Sequence, residues 1–492
     1  MLTTVTQIKK FWRTNTLPLY FVSPSAFNLL GLNTWVKNAF FICYINSFDG
    51  RHRHVRIPTH QDHPVFEHLE DINHYLLSHK TTSDWLIQDR LHLDKKAPKS
   101  KVFFLFFDRN IEALCKALRL DICLPSFKQV KHFDSKIYTT QLGNAAGVHS
   151  VPNALAKIDS YDTLCQIAKK HKLGKKWVLQ TPYGDSGKTT FFISNKKDYD
   201  IYADQIESEP LIKVMKRIRC VSAAIEGCTT SCGTFVGPLM RELIGIPSLT
   251  PYQGGWCGND ISPDGFSSDI HTQAKELTVK LGHALYQEGY RGYFEVDYLL
   301  DCDTDTMYLG ELNPRFSGIS ALTNFALRSL LPLFLFHLLE FFCVPFSINP
   351  EIYNQKVLSR LSVMTSGQLI FKYTPYDLKM VMKAPVSGVY ILSDEGELIL
   401  KKQGVNRLLA SEPHEIFLFR ILAEHDYLYH GADMAIVFFN IPLLDDTQTL
   451  TPTAQRWIQA VQNTFQLRHL TAEEQNLVDR YRNPGVLLKG TP

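Results

Sequence analysis

Two carboxylates that could hold a metal stand fourteen positions apart at Asp297 and Glu311, on either side of the acidic turn Asp301-Cys302-Asp303-Thr304-Asp305. Each lies in an apolar, strand-forming run, Gly292–Leu300 and Met307–Glu311. If the two strands pair antiparallel across the turn, inward-facing positions at this spacing can meet. Asn313, two residues past Glu311, adds an amide oxygen. Two carboxylates and an amide form a hard-oxygen set suited to Mg²⁺ (or Mn²⁺), which draws its remaining ligands from water and phosphate. Glu295, two residues before Asp297 and on the same strand face, is the competing candidate for the first ligand. Pro314 stiffens the strand exit, and Arg315 beyond it can neutralise a phosphate or hold a carboxylate in a bidentate fork. Arg291 and Lys188 are the other candidates for a phosphoryl clamp.

A second motif is Gly184-Asp185-Ser186-Gly187-Lys188-Thr189. It is not a P-loop: the required first glycine falls on Pro182, and Thr189–Ile193 favours a strand where a P-loop opens a helix. With strand-like Trp177–Gln180 before it, the segment reads as a glycine hairpin. Gly184, Ser186 and Gly187 would let backbone N–H groups approach an anion, with Lys188 adding charge.

The elements that must position these residues are legible as periodic runs. Leu19–Val22, Phe40–Ile45 and Val102–Phe107 are short, aromatic or β-branched strand candidates alternating with helical segments, which predicts a parallel α/β sheet over residues 1–128. Arg51–His63 reads as a loop. Residues 129–340 carry a helix over Ser135–Ala146, the glycine hairpin, antiparallel strands at Ile212–Ile225 and Gly233–Gly245, a helix over His271–Gly289 and the acidic strand pair. Gly254–Asn259 reads as a glycine-rich loop facing an acceptor substrate. Residues 341–492 read as a β-rich domain, with strands at Ser359–Lys372, Gly388–Leu392, Leu398–Leu400 and Met434–Phe439 and a helical tail. The fold class is thus α/β followed by α+β.

Composition narrows the function. With 52 Lys and Arg against 49 Asp and Glu, the formal net charge is +3, which gives no footprint for nucleic acid or an anionic membrane. The basic cluster between Lys169 and Lys176 reads as a solvated helix end. The most apolar run, Leu330–Phe342, is broken by Pro332, His337 and Glu340 and is shorter than the roughly 20 residues needed to cross a bilayer. No apolar h-region follows Lys9, Lys10 and Arg13, so no signal peptide is read. Ten scattered Cys without a C-x-x-C pair suggest a reduced, cytoplasmic protein. Met382-Lys383 stands before, not after, a Pro-x-x-Gly segment and reads as a surface pair rather than a biotinylation turn.

The order of these parts — a lysine-bearing helix, a glycine hairpin, a hinge strand and an acidic strand pair ending in E-x-N-P-R — resembles the ATP-grasp superfamily, closest to the biotin carboxylase and carbamoyl-phosphate-synthetase type. The resemblance covers most of the chain: a pre-ATP-grasp domain, the grasp and a C-terminal β domain. It implies an ATP-dependent ligase that activates a small-molecule carboxylate as an acylphosphate for attack by an amine or other nucleophile. A biotin-carboxylase-like carboxylation and a nucleotide binder without turnover are the alternatives. The implied cofactors are ATP and Mg²⁺, and a homodimer is the expected assembly. Phe133-Asp134-Ser135-Lys136 matches the segment of the family's first nucleotide lysine, which places Lys136 at the phosphates. The second lysine belongs where this chain has Gln180, which can still donate to the adenine edge or a phosphate oxygen but without charge, and Lys188 is the candidate to substitute for it. The hinge strand resembles Val214–Ile218, so Lys216 and Ile218 fall against the adenine, although the usual acidic residue is absent there.

Overall fold

The computed structural model of the chain describes residues 1–59, 66, 68–91, 93–94, 96–184 and 189–476. Leu19–Ser23 (β1), Ala39–Cys43 (β2), Val55–Arg56 (β3), Ser100–Phe104 (β4) and Leu120–Ile122 (β5) form the expected parallel sheet in the order β3-β2-β1-β4-β5. All five residues of β1 are buried, as a sheet covered on both faces requires. The helix Arg109–Ala117 after β4 is capped by Asp108, whose Oδ1 accepts the Ile111 N–H at 2.8 Å. The segment read as a loop at Arg51–His63 contains β3, a two-residue edge strand paired to β2.

The next ten strands build two antiparallel sheets. Asn153–Ala156 (β6), Trp177–Gln180 (β7), Thr190–Ile193 (β8) and Ile212–Lys216 (β9) lie in the order β6-β9-β7-β8. Leu179, Phe191 and Val214 point to one face and pack on the helices Tyr161–Lys170 and Lys196–Ser208. Alternation then turns Val178, Gln180, Thr190, Lys213 and Met215 to the other face.

The second sheet contains Cys220–Thr230 (β10), Gly233–Val236 (β11), Met240–Ile244 (β12), Trp256–Ile261 (β13), Gly292–Asp301 (β14) and Met307–Asn313 (β15). Its order is β15-β14-β10-β12-β13, with β11 also paired to β10. Ala223, Ile225, Val296 and Leu312 cluster with Ile270, Ala274, Leu281 and Leu285 of the helix Ser268–Gln287. Glu226, Glu295, Asp297, Glu311 and Asn313 alternate to the opposite face. Gly254–Asn259, expected as a loop, enters β13 at Trp256, and a Cβ on Gly318 would lie 2.4 Å from the Trp256 ring.

Ser366–Lys372 (β16), Lys379–Lys383 (β17), Gly388–Leu392 (β18), Leu398–Gln403 (β19), Ile416–Arg420 (β20), Tyr427–Leu428 (β21), Asp433–Phe439 (β22) and Gln466–His469 (β23) complete the chain. β16-β22-β20-β18-β19 and β21-β17-β23 are antiparallel runs. The strand expected from Ser359 begins only at Ser366. Residues 359–361 instead close the helix Pro350–Leu361, which Asn349 caps and Pro350 opens. The tail is helical at Pro452–Asn463, but β23 follows it.

Contacts divide the chain into two compact units: residues 1–2, 128–244 and 254–364, and residues 3–127, 245–253 and the chain from Thr365 onward. The N- and C-terminal segments, read from sequence as separate domains, thus share a unit. Inside it Arg420 Nη2 donates to Asp49 Oδ1 at 2.5 Å and Ser387 Oγ to Ser47 O at 2.6 Å. Among the described residues no single helix is long and apolar enough to cross a membrane.

Candidate functional site

Lys136 opens the helix Lys136–Ala145, whose N-cap Ser135 accepts the Tyr138 N–H. Gly143 lets this helix lie directly on β15, since a Cβ there would sit 2.4 Å from Leu309 Cδ2. That close approach carries Lys136 to Glu311. Its Nζ donates to Glu311 Oε1 at 2.8 Å and to the Gly184 carbonyl at 2.7 Å, with the Lys136 side chain 4% exposed. Helix, glycine hairpin and acidic strand, separate in sequence, therefore meet at one ammonium group.

The acidic strands pair in the register that joins Asp297 to Glu311 and Glu295 to Asn313. Asn313 Nδ2 donates to Asp297 Oδ2 at 3.3 Å. Asp297 Oδ1 is buried and has no hydrogen-bond partner among the described residues. Burial, then the charges of Glu295 and Glu311, hold the Asp297 carboxyl well above the carboxylate range, against the pull of Lys136 and Arg315. An orphaned acid oxygen facing a second carboxylate and an amide fits a hard divalent cation. Among the described residues no three His, Cys, Asp or Glu side chains gather at metal-binding separation. A cation here would draw the rest of its shell from water and phosphate, as Mg²⁺ does.

The same face of the sheet carries Glu242 on β12 and Glu226 on β10, the latter in register with Glu295. Burial raises Glu242, helped by Asp297 and Glu311, and pushes Glu295 up to about 8, helped by Glu226 and Glu242. Glu226 accepts from Ser320 Oγ at 2.5 Å, Ser317 Oγ at 3.1 Å and the Tyr293 hydroxyl, yet burial still lifts it to about 7. A carboxyl whose folded pKa is raised stabilises the fold fully below its unfolded pKa and loses that contribution as pH climbs through the folded value. For Glu226 the window runs from 4.5 to about 7, and the shift corresponds to roughly 3 kcal/mol. The metal-free protein should therefore melt at progressively lower temperature between pH 5 and 8. Glu226→Gln should flatten that slope in a calorimetric pH series; an unchanged slope would show that Glu226 does not titrate with unfolding.

Arg315 reaches back to the lysine-bearing segment, its Nη1 donating to Asp134 Oδ1 at 2.6 Å with the side chain 15% exposed. Arg291 is placed elsewhere: its Nη1 donates to the carbonyls of Tyr286 and Tyr290, and its guanidinium lies 3.2 Å from the Tyr286 ring centroid. It closes the end of the helix Ser268–Gln287 and is not brought to the acidic strands. Gln180 donates from Nε2 to Thr190 Oγ1 at 3.3 Å, and its Oε1 is buried without a partner among the described residues. In the hinge strand the Lys216 and Arg217 amides donate to the Pro152 and Lys176 carbonyls; the Lys216 side chain is exposed and Ile218 half-buried. Gly184 has φ +145°, and a Cβ there would collide with the Thr189 side chain at 2.1 Å. Ser186, Gly187 and Lys188 lie outside the described residues.

Glu226, Glu242 and a buried lysine at this site escaped the sequence reading. Lys213, on β9, is 0% exposed. Its Nζ donates to Ser150 Oγ and the Gly310 carbonyl, each at 3.3 Å. Burial, opposed by Glu311 and assisted by Lys136, lowers its pKa to about 8. The only trace in the sequence is a lone charge between Ile212 and Val214.

No protein-family model matches the chain, and no curated protein matches it by sequence. Solved structures do. The biotin carboxylase of Campylobacter jejuni, in a β,γ-ATP complex, superposes with TM-score 0.59 at 12% identity over 96% of this chain and 96% of that one. The fold is that of biotin carboxylase. The biotin carboxylase domain dimer of Hydrogenobacter thermophilus 2-oxoglutarate carboxylase, bound to MgADP, ADP and bicarbonate, gives 0.57 at 11% identity over 96% and 95%. The Aspergillus clavatus carboxyaminoimidazole ribonucleotide synthase complexed with ATP gives 0.51 at 13% identity over 94% and 99%. In the biotin-carboxylase fold the Lys136 helix, the hairpin sheet and the acidic strand pair of this chain meet at one place.

Proposed function

We propose that the chain is an ATP-dependent ligase that activates a small-molecule carboxylate for attack by an amine or another nucleophile. The observation that carries this reading is the convergence of Lys136, Glu311 and the Gly184 carbonyl beside an orphaned Asp297 oxygen. Asp297, Glu311 and Asn313 would hold Mg²⁺, which neutralises phosphate charge when bound. Lys136 would bind the polyphosphate, and Met215 and Val178, on the face of the hairpin sheet that also carries Lys213, would meet the adenine. Arg315 would steady the acid against the γ-phosphate. The acid's oxygen attacks γ-phosphorus, ADP departs with the bridging oxygen, and the acceptor then displaces phosphate from the acylphosphate. No side chain has to form a covalent intermediate: charge neutralisation and positioning by the site residues do the chemistry.

Bicarbonate is one acid to be tested, favoured by the likeness to a biotin carboxylase domain solved with that anion. A homodimer, as in that structure, is the assembly we propose, and the ten free cysteines accord with a reducing cytoplasm. The test is ADP release across a panel of carboxylic acids and amines, with and without bicarbonate. Release dependent on an acid together with an acceptor supports amine ligation, and release dependent on bicarbonate supports carboxylation. MgADP binding with no release under any combination would overturn ligase activity.

A further inference from the structure

We infer that Lys213 is the second phosphate-binding lysine of this chain, supplied from β9 in place of the residue that β7 lacks at Gln180. The assignment rests on the nucleotide reading above and goes beyond it, because neither the resemblance nor the motif order points to this position.

Three observations lead to it. Gln180 and Lys213 are direct partners in the antiparallel register of β7 and β9, so their side chains leave the sheet on the same face. Moving the anchor of a lysine by one strand displaces it by about 4.8 Å, a distance its flexible stem can absorb. Second, the Lys213 ammonium lands beside the strand that carries Glu311, at the Gly310 carbonyl, and it feels the charges of both Glu311 and Lys136. Third, it is fully buried, and no carboxylate among the described residues stands within ion-pair distance of it; its two neutral acceptors are both at 3.3 Å. Glu311 is engaged by Lys136 at 2.8 Å. A buried ammonium held only by long neutral hydrogen bonds is costly unless an anion comes to it. A polyphosphate between Lys136 and Lys213 would supply that anion.

A structural lysine would look similar at rest, so the experiment moves the charge rather than deleting it. MgADP affinity is read by calorimetry, and stability by thermal melting, for the wild type, Lys213→Gln, Lys213→Met and the double variant Lys213→Gln/Gln180→Lys. The single variants should weaken MgADP by roughly tenfold to a hundredfold, the range of a lost charge-assisted contact, with melting temperatures no lower than wild type. The double variant, which returns the lysine to β7, should recover affinity to within about threefold. Wild-type affinity in both single variants overturns the assignment. So does a loss of affinity that follows a lowered melting temperature and is not recovered in the double variant. Failure of the wild type itself to bind MgADP overturns the nucleotide reading, and the assignment with it.

Discussion

Glu311→Gln should lower turnover by about 10³-fold or more while the protein still folds. Glu311 faces Asp297 across the strand pair and receives the Lys136 ammonium at 2.8 Å, so one carboxylate serves both the cation and the lysine. Gln keeps an acceptor for Lys136 but removes the charge that a hard divalent ion requires. Lys136 is buried, and losing its counter-charge costs stability, so a lower melting temperature without ligand is part of the expectation. Asp297→Asn separates the two effects. Asp297 makes no ion pair among the described residues, and its orphaned oxygen is raised by burial. That variant should melt at or above the wild-type temperature at neutral pH and lose turnover just as severely. Near-normal steady-state rates in either variant would remove these acids from the metal site.

Arg315→Lys should reduce kcat by about 10²-fold and leave ADP affinity nearly unchanged. The guanidinium is held at the strand exit by Asp134, the residue before the cap of the Lys136 helix. A donor fork so placed matters most when charge moves between two anions. Lysine retains the charge but not the fork. The competing role is structural, with Arg315 merely tying the strand exit to the helix. In that case Asp134→Asn and Arg315→Lys would lower the melting temperature alike and spare kcat. A fall in kcat at unchanged melting temperature separates the two roles.

The acidic strand pair was legible because alternation fixes which residues share a face, and a short turn fixes which strands pair. The turn and strict alternation alone would set Asp297 opposite Gly310; Asp297 meets Glu311 because the register shifts by one residue between Asp297 and Tyr298, which the sequence pattern does not show. Lys136 was legible through the motif around it, but its approach to Glu311 depends on Gly143 lying against Leu309, which no local pattern records. Lys213 was missed because its importance comes from the register of β9 with β7, a non-local fact. Arg291 is near the acidic strand in sequence, but its side chain turns back to the carbonyls of Tyr286 and Tyr290, a direction no sequence pattern sets. Ser359–Leu361 carry one apolar residue, Leu361, which suits a strand or a helix, and the cap Asn349 with Pro350 decides for helix. β17 and β23 escaped because short strands bearing lysines and arginines lack a clear alternation.

In the proposed reaction a carboxylate oxygen attacks the γ-phosphoryl group. That attack is tested most directly with the acid that supports ADP release, labelled with ¹⁸O in its carboxylate, or in bicarbonate if that is the acid. One labelled oxygen should appear in inorganic phosphate for each turnover, because the acceptor displaces phosphate together with the oxygen that made the attack. Turnover that leaves the phosphate unlabelled would contradict carboxylate activation at this site.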